Sequence, residues 1–198
     1  MTRARNVAIL IFDEVEVLDF AGPFEVFSVT GRRKQQTPFE VYAVAERPGP
    51  VLARNQLSVS PRYTLVDCPP PDILVVPGGR GTRREMNNAG LIEWIKTTAA
   101  RAEFVLSICT GALLLAKAGL LDSLKATTHH GALDLLREVA PNTTIFDNQR
   151  VIDNGKIIVS AGVSAGIDAA FHVIARLLGE EEAMETARYM EYDWRRET

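Results

Sequence analysis

Short runs of valine, isoleucine and leucine alternate along this chain with stretches in which apolar residues return every three or four positions. The runs at 7–12, 39–45, 73–76, 104–108 and 157–160 read as strands. Several are apolar at every position rather than at alternate ones, the pattern of strands covered on both faces in a parallel sheet. Stretches 23–29, 91–102, 111–117, 133–139, 165–178 and 181–192 carry the helical period. Pro23, after Gly22, suits a first helical turn, where its missing N–H is not needed. Segment 52–65, with turn residues near Asn55 and Pro61, reads as an antiparallel excursion, and Asp153-Asn154-Gly155 within 150–159 marks a hairpin. The alternation predicts an α/β fold: one domain over residues 1–198, with a mostly parallel sheet and helices on both faces. No repeat, linker or low-complexity tract interrupts it.

Composition agrees with a single large core, since 46% of the 198 residues are hydrophobic. The net charge is −3, with 22 basic and 25 acidic residues intermixed, so the chain lacks the basic footprint of a nucleic-acid or anionic-membrane partner. Arg32-Arg33-Lys34 and Arg83-Arg84 read as solvated loop charge. Two cysteines, Cys68 and Cys109, make no disulfide framework. Residues Met1 to Arg5 lead into a strand without the apolar region and cleavage site of a signal peptide, so a reducing cytoplasm is expected.

Candidate chemistry sits where open α/β sheets bind ligands, beyond the carboxyl ends of the strands. The strand 104–108 runs without a spacer through Cys109 into an apolar helix. So tight a turn projects its apex side chain from the sheet and aims the first helical N–H groups at it, a setting that favours thiolate. The alternative is that Cys109 is a small buried hydrophobe, as free cysteines often are. The first strand is followed by a loop containing Asp19, and the third by Pro77-Gly78-Gly79. Asp19 lies between Leu18 and Phe20, where desolvation would raise its pKa and suit it to act as an acid; capping the following helix is the competing role. The N–H groups of Gly79 and Thr110 form a candidate oxyanion-hole pair. Thr110 itself is expected to orient the acid or the thiolate, or else to cap its helix.

Gly162-Val163-Ser164-Ala165-Gly166 matches the serine-hydrolase elbow pattern and is the strongest internal rival. Its downstream partners, Asp168 and His172, share one helix, so the separate acid and base loops of a serine triad are missing. Gly162, Val163 and Ser164 therefore read as a pocket wall near Cys109. His129 and His130 are adjacent and on a strand would face opposite ways, which gives no metal site. Cys68, ahead of three prolines, has no activating neighbour, and His172 reads as packed or hydrogen-bonded.

The segments Val17-Leu18-Asp19-Phe20-Ala21-Gly22-Pro23, Val75-Val76-Pro77-Gly78-Gly79, Ser107-Ile108-Cys109-Thr110-Gly111-Ala112, Lys125-Ala126-Thr127-Thr128-His129 and Val163-Ser164-Ala165-Gly166-Ile167-Asp168, in this order, resemble the DJ-1/PfpI superfamily. Within it they are most similar to the isocyanide hydratase branch and to the amidase-like domains of AraC-type regulators. The resemblance implies a flavodoxin-like three-layer sandwich, a homodimer, a nucleophile-elbow cysteine at Cys109 and an acidic partner at Asp19. It also brings Gly78 and His129 toward the pocket, although a satisfied structural role is the favoured reading of His129. PfpI-type peptidases carry histidine directly after the nucleophile, where this chain has Thr110, so peptidase activity is not expected. The chain stops at Thr198, without the helix-turn-helix domain of the regulators, so a self-contained transcription factor is not expected. Glyoxalase-like members use glutamate as the acid, and Asp19 again points to the hydratase branch. The activity this resemblance implies is that of a hydratase acting on a small molecule. In it Cys109 attacks the terminal carbon of an isocyanide, Asp19 supplies the proton and water releases an N-substituted formamide, with no metal or organic cofactor. A redox sensor or a binding module without turnover is the alternative, since each needs the same thiol or pocket.

Overall fold

The computed structural model describes residues 3–194; Met1 and Thr2, within the segment expected to lack a signal peptide, and residues 195–198 lie outside the described residues. In chain order the strands are β1 (Arg5–Leu10), β2 (Phe39–Ala45), β3 (Val51–Leu52), β4 (Ser58–Val59), β5 (Tyr63–Thr64), β6 (Ile73–Val76), β7 (Phe104–Ile108), β8 (Lys125–Ala126), β9 (Thr144–Ile145), β10 (Val151–Asp153) and β11 (Ile157–Ser160). The α-helices are α1 (Val17–Val29), α2 (Thr82–Glu85), α3 (Ala89–Arg101), α4 (Gly111–Lys117), α5 (Leu133–Val139), α6 (Ala165–Leu178) and α7 (Glu180–Tyr189).

Seven strands form the central sheet in the order β10-β11-β7-β6-β1-β2-β5, parallel throughout except for the β10–β11 hairpin at one edge. Every residue of β6 and β7 is buried, whereas β2, one strand from the edge, mixes buried and exposed positions. The uninterrupted apolar runs are thus the central strands, as two covered faces require. Helices α1, α6 and α7 pack together, as do α2, α3, α4 and α5 in a second group, making the flavodoxin-like sandwich around the sheet. Among the described residues no helix is long and apolar enough to cross a membrane.

Two local expectations need correction. The helix expected at 23–29 begins at Val17, so Pro23 lies inside α1 and Asp19 in its first turn. Glu16 occupies the cap position, and its side chain makes no capping bond. Pro23 removes a single intrahelical donor, and burial of Phe20, Val26 and Phe27 against the core outweighs that loss. The excursion at 52–65 is antiparallel only where β3 pairs with β4; β5 then joins the edge of the main sheet parallel to β2. The hairpin at 150–159 forms as expected, with the Gly155 N–H donating to Asp153 Oδ1 at 2.6 Å.

Candidate active site

The carboxyl ends of β1, β6, β7 and β11 bring four loops together. Cys109 joins β7 to α4 with φ 54°, a left-handed conformation that costs a non-glycine residue about 1–3 kcal/mol and persists only where the surroundings impose it. They do so here through backbone bonds. The Cys109 N–H donates to Ser160 O at 3.2 Å and Ala161 O at 3.1 Å, and its carbonyl accepts the Thr128 hydroxyl at 2.7 Å. The sulfur receives the N–H groups of Thr110 and Val163.

Asp19 comes from the first turn of α1 and is fully buried. Its Oδ2 accepts the Gly78 N–H at 2.9 Å, while Oδ1 has no hydrogen bond; Glu16 and the Cys109 thiol are the titratable groups that act on the carboxyl. Gly78 has to be glycine: a Cβ there would stand 2.4 Å from the Thr110 nitrogen and 2.9 Å from Asp19 Oδ2. The absent side chain lets the carboxyl and the elbow close on one another.

Burial pushes the Asp19 carboxyl up to about 7 against the opposing Gly78 N–H, and the Glu16 charge adds to the rise. Burial likewise pushes the Cys109 thiol up to about 12, and the Asp19 charge adds to that, outweighing the N–H groups of Thr110 and Val163. This reverses the expectation that the helix end would favour thiolate. The donors are present, but α4 has only 7 residues and the thiol is almost wholly withdrawn from water.

Thr110 is buried at the seam between loops. Its hydroxyl accepts the Gly79 N–H at 2.9 Å and donates to the Gly79 carbonyl at 3.1 Å, and the Thr82 hydroxyl reaches the same carbonyl at 2.8 Å. The pairing of Gly79 with Thr110 as oxyanion donors is therefore corrected: the Gly79 N–H is spent on the threonine hydroxyl, and the second donor beside the sulfur is Val163. The elbow pattern in the sequence pointed to this loop but not to its N–H. Thr82 and Arg83, whose guanidinium donates to Gly79 O at 3.3 Å, were also missed, because α2 gives no periodic signal.

His129 is half-buried with its ring against Gly162, where a Cβ would lie 2.4 Å from Cδ2. The Gly131 N–H donates to His129 Nδ1 at 3.1 Å, so the ring proton of the neutral imidazole is on Nε2. Burial, His130 and Arg83 together hold its pKa below the ordinary histidine value. His129 and His130 do not face opposite ways; they precede and open a 3₁₀ turn rather than lie on a strand, and their ring centroids are 4.1 Å apart. Among the described residues no group of three or more His, Cys, Asp or Glu side chains is arranged to hold a metal ion.

The serine elbow comes apart. Ser164 is exposed, and its hydroxyl accepts from Arg150 at 3.2 Å. Asp168 pairs with Arg150 and Tyr192, while His172 pairs with Asp153 at 2.7 Å, so neither reaches the serine. Cys68 is partly buried, and burial with the Asp67 charge raises its thiol pKa.

The sequence and the fold are matched in known proteins. The DJ-1/PfpI family model matches residues 5–176. An isonitrile hydratase of Pseudomonas putida is 33% identical over 96% of this chain and 79% of its own. The transcriptional regulator CdhR of Pseudomonas aeruginosa is 30% identical over 90% of this chain, which spans 52% of the regulator's length. Among solved structures, a ThiJ/PfpI family protein from Pseudomonas syringae superposes with a TM-score of 0.86 at 29% identity, covering 100% of this chain and 78% of that one. DJ-1beta of Drosophila melanogaster shares the fold, with a TM-score of 0.82 at 18% identity over 97% of this chain and 100% of that one. With the family model spanning most of its length and the elbow, carboxyl and glycine loop converging at the sheet's carboxyl edge, this chain belongs to the DJ-1/PfpI family.

Proposed function

We propose that the protein is a cysteine-dependent hydro-lyase of the isonitrile hydratase type, adding water to an isocyanide to give an N-substituted formamide. The observation that carries this reading is a fully buried Asp19 that interacts with the thiol of a strained elbow cysteine and has one carboxyl oxygen, Oδ1, without a hydrogen bond. Similarity to the Pseudomonas putida hydratase over nearly the whole chain supports it. A carboxyl held near 7 is matched to moving a proton at neutral pH, whereas a thiol near 12 needs a base in order to react.

The chemistry balances with these groups alone. As Cys109 Sγ attacks the terminal carbon of R–N≡C, its proton passes to the Asp19 carboxylate, and Asp19 returns that proton to the same carbon, leaving the thioimidate Cys–S–CH=N–R. The Thr110 and Val163 N–H groups stabilise charge on sulfur while the bond forms. Water then adds to the thioimidate carbon. One of its protons goes to nitrogen and the other to sulfur as the C–S bond breaks, releasing R–NH–CHO and the free thiol. Thr110 ties the elbow to the glycine loop and so fixes its own N–H against the sulfur.

A peroxide sensor requires an accessible thiolate. Cys109 is 4% exposed and its thiol is pushed up, which favours attack on a slender linear substrate over oxidation. The same reading takes the protein as a homodimer, the assembly the family resemblance implies, and light scattering at micromolar concentration checks it. The decisive assay is steady-state hydration of cyclohexyl and aryl isocyanides with formamide quantified. Turnover that vanishes with Cys109→Ala is expected. No turnover of any isocyanide, with Cys109 accumulating sulfinic acid under mild peroxide, would replace the enzyme with the sensor.

A further inference from the structure

The turn between β11 and α6 holds Val163 at φ 35°, a conformation that a β-branched residue adopts only under constraint. Its N–H is one of the two that meet the Cys109 sulfur. The constraint comes from both ends of the turn, and both ends lead to Arg150. At the first residue, the Ala161 N–H donates to the Arg150 carbonyl at 2.9 Å, while the Ala161 carbonyl accepts the Cys109 N–H at 3.1 Å. At the last, Arg150 Nη2 donates to Ser164 Oγ at 3.2 Å. The guanidinium is anchored on Asp168, with Nε and Nη2 at 2.6 and 2.5 Å from Oδ2 of a carboxylate that is 1% exposed, and Tyr192 donates to the other carboxylate oxygen at 3.1 Å.

We propose that Arg150 is a positioning residue for the nucleophile: by gripping Ala161 with its backbone and Ser164 with its side chain, it keeps the Val163 N–H on the Cys109 sulfur. An ion pair serving only to fasten α6 would need Asp168 alone; the additional grip on Ser164 directs the guanidinium to the turn. His129 against Gly162 closes the turn's remaining side. The charged group that shifts the thiol is Asp19 of α1, itself shifted by Glu16, and nearby Arg83 and His130 act on His129. Arg150 acts on the sulfur through the backbone of the turn. The inference rests on Cys109 being the reactive thiol, and its test uses no isocyanide.

The rate of Cys109 alkylation by iodoacetamide, separated from that of Cys68 by peptide mapping, is measured against pH in the full-length protein. In Arg150→Met the profile moves upward by about one pH unit, making alkylation about tenfold slower at a given pH below the midpoint. Arg150→Lys recovers part of the shift. Arg176→Met, which removes an ion pair to Asp153 from the same helix, leaves the profile in place. An Arg150→Met profile that overlays the wild type, a uniformly faster reaction as from a loosened site, or an equal shift in Arg176→Met overturns the proposal. If Arg150→Met fails to fold by circular dichroism, Ser164→Ala must shift the profile in the same direction, and no shift there is equally fatal. A shift in a protein that hydrates no isocyanide sinks the hydratase reading and leaves this one standing.

Discussion

Two strand-to-helix turns lie side by side in this molecule, since β7 and β11 are parallel neighbours with Ile108 opposite Ser160. Both hold a non-glycine residue at positive φ, Cys109 at 54° and Val163 at 35°. In the first turn the strained residue is itself the proposed nucleophile, buried, with the Asp19 carboxyl acting on it. In the second the strained residue is an aliphatic, and the serine that completes the elbow pattern sits one position later, in ordinary helical geometry at φ −68° and facing solvent. An elbow acquires chemistry only when the nucleophile occupies the strained position and a second element brings a proton acceptor to it. The second turn lends the first its N–H.

The widest separation between the two turns is expected in turnover. Cys109→Ala eliminates isocyanide hydration, whereas Ser164→Ala keeps it within about tenfold of wild type, since the serine supports the turn without entering the reaction. Comparable losses in the two variants would show that the turns share the chemistry. Next in size is Asp19→Asn, which retains the Gly78 bond but has no acid–base function and lowers kcat/KM by ~10²- to 10⁴-fold.

The same substitution carries a stability signature. The folded-state pKa of Asp19 is raised from 3.8 to about 7, so its contribution to folding is complete below the unfolded value and is lost as pH rises through the folded one. At pH 8 the ionised carboxyl therefore destabilises the fold by as much as about 4 kcal/mol. Asp19→Asn should raise Tm by several degrees at pH 8 and by almost nothing at pH 4, as followed by thermal denaturation. An unchanged difference between the two pH values would mean that the carboxyl is not desolvated. The smallest effect is the acid limb of activity: kcat/KM should rise through an apparent pKa of about 7 as Asp19 becomes competent to take the thiol proton, a value belonging to the Asp19–Cys109 pair. Activity undiminished down to pH 5 would remove Asp19 as the base.

Part of this site was legible before folding. The uninterrupted apolar run of β7 leading into Cys109 and the helix after it identified the elbow, because strand burial and turn tightness are written in adjacent residues. The start of α1 was not, because Pro23 is a stronger local signal than the buried contacts that extend the helix back to Val17. The same limit explains the misassigned donor. Gly79 has a free N–H in sequence, but Thr110, 31 residues away, takes it, and Val163 takes its place from a loop that looked like a serine elbow.

By itself the sequence determined the α/β architecture and the central strands, since periodicity is a local property, and it pointed to the elbow cysteine through its turn and, through the family resemblance, to Asp19 as its acidic partner. The tertiary structure alone decided which N–H groups meet the sulfur, which carboxylate oxygen is left without a hydrogen bond and in which direction both groups titrate. Those outcomes depend on desolvation and on partners such as Asp19 and Gly78, 59 residues apart, which acquire a common environment only when the sheet assembles.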